Sequence, residues 1–167
     1  LAPNNPVADL MLKNDRATSR DFIGNADVDY QVHGFEDLRL HATAGADIAE
    51  GKQTTDVDRT SPLAFYFGST GFKKSLKRNL LLNAYAQYYH DFKDKYQNHF
   101  DIMAGYEWQH FWRKETSRYL SYYPKTNSVH PGELNSDSGQ DYNGDGKKED
   151  YKYMTENYLV SFFGRAN

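Results

Sequence analysis

Apolar and polar side chains alternate in four separate stretches of the chain. Residues 25–32 place Ala26, Val28 and Tyr30 on one side and Asp27 and Asp29 on the other. The alternation returns at 38–47, at 79–91 with one exception, and at 100–112, and a fifth stretch begins at residue 158. A two-residue period is typical of a β-strand whose two faces meet different surroundings. The pattern therefore predicts an all-β fold of about five antiparallel strands.

The connections between these stretches alternate in length. Residues 33–37 and 93–98 are short and polar, whereas residues 48–77 and 114–156 show no regular period and are predicted to be long loops. Each strand has roughly ten residues, which is the length a tilted strand needs to cross a bilayer. Because outer-membrane barrels have short periplasmic turns and long extracellular loops, we predict antiparallel strands of a transmembrane β-barrel with two long extracellular loops.

Composition leaves a soluble alternative open. The mean hydropathy is −0.88, and no apolar run approaches the roughly 20 residues of a spanning helix. Aromatic residues make up 16% of the chain, which suits both a membrane interface and a protein that stacks on sugars. The alternative is a soluble β-sandwich carbohydrate-binding module, whose apolar face would pack on a second sheet. A net charge of −3 gives no reason to expect nucleic acid as a partner.

Five strands are too few for a closed membrane barrel, since about eight is the smallest number known. An open edge would leave backbone groups unpaired in lipid. The N-terminal residues show no basic leader followed by an apolar segment, so no signal peptide is recognised in the chain. We therefore expect residues 1–167 to be part of a longer barrel.

Several segments follow one another in a recognisable order. They are NPVA at 5–8, GNADVDY at 24–30, the strand at 38–47, HFDIMAGYE at 99–107 and SFFGRAN at 161–167. Together they resemble barrel strands of the SusC-like TonB-dependent transporters of the Bacteroidetes. The resemblance implies a 22-stranded outer-membrane barrel, an N-terminal plug that this chain lacks, a SusD-like surface lipoprotein as lid, and TonB as the source of energy. It also implies an imported oligomeric solute, with oligosaccharides the first expectation and peptides the second.

One loop segment matches the opening of an EF-hand calcium loop, D-x-N-x-D-G. Asp141, Asn143 and Asp145 occupy positions 1, 3 and 5, Lys147 would supply a backbone carbonyl at position 7, and Glu149 is at position 9. Position 12, where a bidentate Glu belongs, is a lysine. The segment therefore predicts a Ca²⁺ site at 141–149, and a plain polar turn remains the alternative because Asn-Gly and Asp-Gly also form turns.

Two further sets of side chains are predicted to make external contacts. The first is cationic, lies at the start of the third strand and would meet lipopolysaccharide phosphates: Lys73, Lys74, Lys77 and Arg78. The second is aromatic, lies in the two predicted loops and would contact the solute or the lid: Phe65, Tyr66, Phe67, Tyr122 and Tyr123. A solvated loop is the alternative for the cations, and packing on the lipoprotein lid is an alternative to sugar stacking for the aromatics.

The chain carries no recognisable catalytic motif. Its six histidines form no H-E-x-x-H pair, and neither a G-x-S-x-G elbow nor a phosphate-binding glycine loop is present. We therefore predict that the chain is not an enzyme. An outer-membrane hydrolase would require carboxylates and a histidine that converge at the extracellular rim.

Overall fold

The computed structural model describes residues 6–61, 67–92 and 99–167. Within these ranges one short helix and six strands follow in the order α1 Pro6–Leu12, β1 Lys13–Gln31, β2 Leu38–Val57, β3 Ser69–Asp91, β4 His99–Tyr122, β5 Leu134–Asp137 and β6 Tyr151–Ala166. The strands form a single sheet in the order β1-β2-β3-β4-β5, and β6 also pairs with β4. The predicted all-β, antiparallel fold class is confirmed.

No helix in the described part of the chain is long and apolar enough to cross a membrane.

The strands are longer than the alternation predicted, so both predicted loop boundaries were wrong. Strand β2 continues to Val57, β3 begins at Ser69, β4 continues to Tyr122, and β6 begins at Tyr151. The intervals between these long strands are therefore 58–68 and 123–150, rather than 48–77 and 114–156. Helix α1 was not predicted at all, because seven residues are too few to display a helical period.

The missed strand extensions are polar on both faces. Residues 13–20 of β1 are all exposed. Just beyond this end of β1 and β2, the backbone N–H of Asp58 donates to Leu12 O at 2.8 Å. The hydroxyl of Thr70 on β3 donates to Asp56 on β2. A strand with water on both faces needs no hydrophobic alternation, so the signal that identifies strands in a sequence is absent there.

The described contacts divide the chain into two units. The first comprises Leu1–Arg20, Ala49–Leu76 and Lys114–Met154. The second comprises Asp21–Ile48, Lys77–Arg113 and Thr155–Asn167. The calcium-like segment at 141–149 belongs to the first unit, and the alternating strand segments belong to the second.

In the second unit the turn predicted at 33–37 joins β1 to β2. Val32 N donates to Leu38 O at 3.1 Å, and Phe35 N donates to Val32 O at 3.0 Å. Gly34 has φ +82°, a left-handed conformation that glycine adopts without steric penalty. This part of the prediction is confirmed, whereas the turn predicted at 93–98 lies outside the described residues.

One face of the second unit is an open apolar surface. Val28, Leu82, Ile102 and Val160 leave 61, 41, 38 and 50% of their surface exposed, and all four occupy positions that the alternation assigned to the apolar face. Among the described residues no apolar side chain is buried. The soluble β-sandwich alternative requires this face to be buried under a second sheet, so it does not fit the described residues.

On the opposite face of the second unit, Phe163 of β6 lies over Gly105 of β4. A Cβ atom at position 105 would be 2.2 Å from Cζ of the Phe163 ring. The ring also lies 6.5 Å from the ring of Tyr85, tilted by 58°. An aromatic ring thus occupies the space that a side chain at Gly105 would need, which is a recurrent way of covering a glycine in a sheet.

Substitution Gly105→Ala is expected to displace the Phe163 ring and to lower the free energy of unfolding by about 1–3 kcal/mol, the usual effect of overpacking. The measurement is urea unfolding of the protein in detergent. Gly164→Ala is the matched control, because its new Cβ would be 3.6 Å from the nearest atom, the carbonyl oxygen of Met103. Equal stability of the two variants would contradict the packing role of Gly105.

Candidate functional site

A cavity of about 670 Å³ lies in the first unit, among the residues that follow β2, precede β3 and follow β4. Its walls combine aromatic rings, hydroxyl groups and two cations, contributed by Arg59, Thr60, Ser61, Phe67, Tyr122, Tyr123, Lys125, Thr126 and Gly132. Three of the five aromatic residues that the sequence assigned to solute or lid contact therefore line one cavity. The other two, Phe65 and Tyr66, lie outside the described residues.

Backbone pairing positions two of these rings. Phe67 N donates to Tyr122 O at 3.1 Å, and Tyr122 N donates to Gly68 O at 3.2 Å. Gly68 turns the chain with φ +85°, a conformation that a residue with a Cβ would adopt only with strain. Phe67 is 48% exposed, so its ring is held by its backbone and remains accessible.

The third ring is fixed by the loop that follows β4. Tyr123 N donates to Glu133 O at 2.9 Å, and the Tyr123 ring stacks on His130 at 5.1 Å with an interplanar angle of 23°. His130 Nδ1 in turn lies 3.1 Å from a Glu133 carboxylate oxygen. These contacts hold Tyr123 close to the part of the loop that contains His130 and Glu133.

The cavity has the chemistry of a site for a hydroxylated, ring-shaped solute. Aromatic faces attract the C–H side of a sugar ring, while Thr60, Thr126, Arg59 and Lys125 offer hydrogen-bond donors at the same surface. These four residues could not be identified from the sequence, because single polar residues in a loop follow no period.

An ion pair anchors the 123–150 segment to β4. Arg118 reaches Asp137 through two nitrogens, Nε at 3.3 Å and Nη2 at 3.0 Å, and its Nη1 lies 3.6 Å from Asp150. The side chain of Asp137 is only 5% exposed. Hydrogen bonding to Arg118, supported by the backbone N–H of Gly139, lowers the pKa of Asp137. Two parallel N–H bonds to one carboxylate fix the direction of approach as well as the distance.

Substitution Arg118→Met should leave the Asp137 carboxylate without its main partner and speed amide exchange across residues 134–150 roughly tenfold or more. Hydrogen exchange read by mass spectrometry measures this. Lys147→Met, an exposed cation of the same segment, is the control and should change little.

The protection factors of the wild-type amides, which compare their exchange rates with those of an unstructured peptide at the same pH, should also fall in acid. The pKa of Asp137 is lower in the folded protein than in the unfolded chain, so its stabilising effect is complete above about pH 4 and is lost as pH falls through the folded pKa. The Arg118→Met variant should show less of this dependence. An identical acid response in both proteins would contradict the role of the pair.

The calcium-like segment is organised around one carboxylate. Asp141 accepts backbone N–H bonds from Asn143 at 3.2 Å, Gly144 at 2.7 Å, Asp145 at 3.2 Å and Gly146 at 2.8 Å. These bonds, that from Gly146 foremost, lower the pKa of Asp141. Gly144 and Gly146 both have positive φ, +72° and +78°, which lets successive N–H groups point at the same anion.

Two of the other candidate ligands also make contacts within the loop. Asp145 accepts from Lys147 N at 3.0 Å, and Glu149 lies 3.7 Å from Lys152 Nζ while receiving the amide of Asn143 at 3.4 Å. Among the described residues, no three His, Cys, Asp or Glu side chains converge as a metal site. Calcium binding and the polar-turn alternative therefore both stay predictions.

We expect Asp141→Ala to accelerate amide exchange at 143–146 about tenfold, because the variant removes the acceptor of all these bonds. Asp145→Ala, which removes a single bond, should have a smaller effect, and removing Ca²⁺ with EGTA should have none. A calcium site would behave differently: both variants and EGTA would then release the loop to a similar extent.

The four cations predicted to meet lipopolysaccharide do not form one cluster. In the first unit, Lys73 Nζ lies 3.8 Å from Glu115, while Lys74 Nζ lies over the ring of Phe72 at 5.8 Å. In the second unit, the guanidinium of Arg78 lies over the Trp112 ring at 5.4 Å, and Lys77 is exposed. The lysine pair 73 and 74 points to opposite faces because adjacent residues of a strand do so.

The polar face of the second unit carries hydrogen-bonded networks. His41 lies 2.7 Å from Asp29 and 3.0 Å from Thr43, whose hydroxyl donates to Asp27 at 2.6 Å. A separate network joins Arg165 to Asp101 at 2.7 Å and Asp101 to Gln87 at 3.0 Å. Asp27 and Asp29 lie on the polar side that the alternation predicted, and hydrogen bonds within the protein engage the carboxylates of both.

Comparison with known proteins identifies one informative relative. No model of a protein family matches the chain. The chain is 43% identical, over an alignment of 169 residues that covers 99% of its length, to the TonB-dependent receptor SusC of Bacteroides thetaiotaomicron. The match spans 15% of SusC. The chain is therefore SusC-like along nearly its whole length, and its antiparallel sheet is consistent with a β-barrel fragment of a TonB-dependent receptor.

Proposed function

We propose that the chain forms part of the wall and the extracellular loops of an outer-membrane transporter that imports oligosaccharides. The carrying observation is the similarity to SusC along 99% of the chain, which favours transport over enzymatic activity. The protein would take up its solute at the cell surface and depend on TonB for energy.

The two faces of the second unit support the membrane location. Leu82 and Ile102 are exposed on the apolar face, which suits contact with lipid chains. Opposite them, the networks of Asp29 and Asp101 suit a hydrated barrel interior or the surface of a plug. Within the described part of the chain, strands β1 and β6 each have one neighbour in the sheet, so further strands of a larger barrel would pair with them.

The cavity of the first unit suits the capture step. Phe67, Tyr122 and Tyr123 present ring faces, and Arg59 and Lys125 add donors at the rim. An oligosaccharide uses both kinds of group, and this is why it is preferred over a peptide as the solute. A SusD-like lipoprotein would cover this side as a lid, and movement of a plug driven by TonB would then release the solute inward.

The test is uptake of labelled oligosaccharides by cells that express the intact transporter. Phe67→Ala should raise the concentration for half-maximal uptake roughly three- to tenfold, since an aromatic contact contributes about 0.5–1.5 kcal/mol. Tyr153→Ala removes a ring with comparable exposure, 45% against 48%, outside the cavity, and should have no effect.

Two results would count against this function. Uptake that persists after deletion of the gene would remove the transport role. If the deletion strain lost peptide uptake but kept oligosaccharide uptake, the protein would be a transporter of peptides instead of oligosaccharides.

A further inference from the structure

Three lysines of the first unit lie on one face of neighbouring strands. Between β2 and β3, a Cβ at Gly51 would lie 2.9 Å from Ser75 Oγ, and Asp56 accepts the hydroxyl of Thr70. Both contacts belong to the same antiparallel register, which sets residue 51 opposite 75 and residue 56 opposite 70. That register places Lys52 directly opposite Lys74, on the other face from Gly51.

Strand β4 adds the third lysine. The ion pair between Lys73 Nζ and Glu115 at 3.8 Å places these two side chains on the same face of β3 and β4. Lys74 follows Lys73 in β3, and Lys114 precedes Glu115 in β4. Since adjacent residues of a strand point to opposite faces, Lys74 and Lys114 both belong to the other face. Lys52, Lys74 and Lys114, here called the lysine row, therefore cross three adjacent strands, which are about 4.8 Å apart.

Within residues 6–61, 67–92 and 99–167, the lysine row has no ion-pair partner. All three residues are exposed, and among the described residues no carboxylate lies within 4.0 Å of their ammonium groups. Two lysines of the first unit at the other set of alternating positions are paired, Lys73 with Glu115 at 3.8 Å and Lys13 with Asp15 at 2.8 Å. Like charges directly opposite one another destabilise a sheet, so an anion from outside the chain would stabilise this row.

We propose that the lysine row binds the phosphate groups of lipopolysaccharide in the outer leaflet. The proposal rests on the outer-membrane location proposed above. Lys74 occupies an even-numbered position of β3, as do Leu80 and Leu82 farther along that strand. Cations that border a lipid-facing surface attract anionic headgroups. Three ammonium groups spread over two strand spacings suit a headgroup with more than one phosphate better than a single carboxylate.

The lysine row revises the cationic set suggested by the sequence. Lys74 is retained, and Lys73 is excluded because Glu115 neutralises it on the other face. Lys52 and Lys114 join the set, although they are 22 and 40 residues from Lys74. Only the cross-strand register brings the three together.

The experiment measures binding of doubly phosphorylated lipid A to the intact protein in phosphatidylcholine vesicles. The combined substitution Lys52→Gln, Lys74→Gln and Lys114→Gln should weaken binding roughly tenfold or more, with a reduced dependence on salt. The control removes the same number of charges at odd-numbered positions, Lys13→Gln, Lys73→Gln and Lys77→Gln, and should leave binding unchanged.

A second measurement separates lipid binding from a purely structural role. In neutral detergent, Lys74→Gln should keep or raise the midpoint of thermal unfolding, because it relieves repulsion within the row. In lipid A vesicles the same variant should unfold below the wild type, which alone retains the full set of phosphate contacts.

Several outcomes would overturn the inference: unchanged lipid A affinity in the triple variant, equal binding of dephosphorylated lipid A, or displacement of lipid A by millimolar inorganic phosphate. If the triple variant bound lipid A normally but no longer bound the partner lipoprotein, the lysine row would be a protein contact instead. A protein that fails to insert into vesicles would contradict the proposed function, whereas an inserted protein indifferent to lipid A would contradict only the lysine row.

Discussion

The structure depends on the antiparallel ladder of backbone hydrogen bonds between neighbouring strands. Asp101 and Asn167 exchange both of their backbone bonds, at 3.1 and 2.9 Å, and Tyr89 N reaches Asp37 O at 2.8 Å. Because each strand satisfies its neighbour's polar groups, the sheet does not need a hydrophobic core to hold its backbone. The described residues accordingly bury no apolar side chain, and the two faces are free to meet different surroundings.

Because the ladder holds the strands in register, the alternation along each strand gives the sheet one apolar face and one polar face. In the second unit, one face presents Leu82 and Ile102 outward, and the other joins Asp101 to Arg165 and Gln87. Ion pairing and hydrogen bonding within the polar networks suit a hydrated interior, and the exposed apolar face suits the lipid contact proposed above. The lysine row follows the same logic in the first unit, since side chains on one face share one environment and the paired lysines lie on the other.

The proposed recognition functions lie where regular strands give way to loops. The ends of β3 and β4 hold Phe67 and Tyr122 through reciprocal backbone bonds, and the Arg118–Asp137 pair keeps the following segment close to its strand. Rigid strand ends thus position side chains that a free loop would leave mobile. In the calcium-like segment, the single carboxylate of Asp141 holds the turn by accepting several backbone N–H bonds.

The sequence by itself determined the strands that have two different faces, the turn around Gly34, the aromatic candidates and the family. It did so because alternation and turn chemistry are local properties that a few neighbouring residues express. It could not determine the polar extensions of β1 to β4, where water on both faces leaves no periodic signal. Nor could it determine which distant residues meet: the pairing of Arg118 with Asp137, the cavity around Phe67 and Tyr122, and the lysine row all depend on cross-strand register. Register is a property of the assembled sheet, so only the tertiary structure decided them.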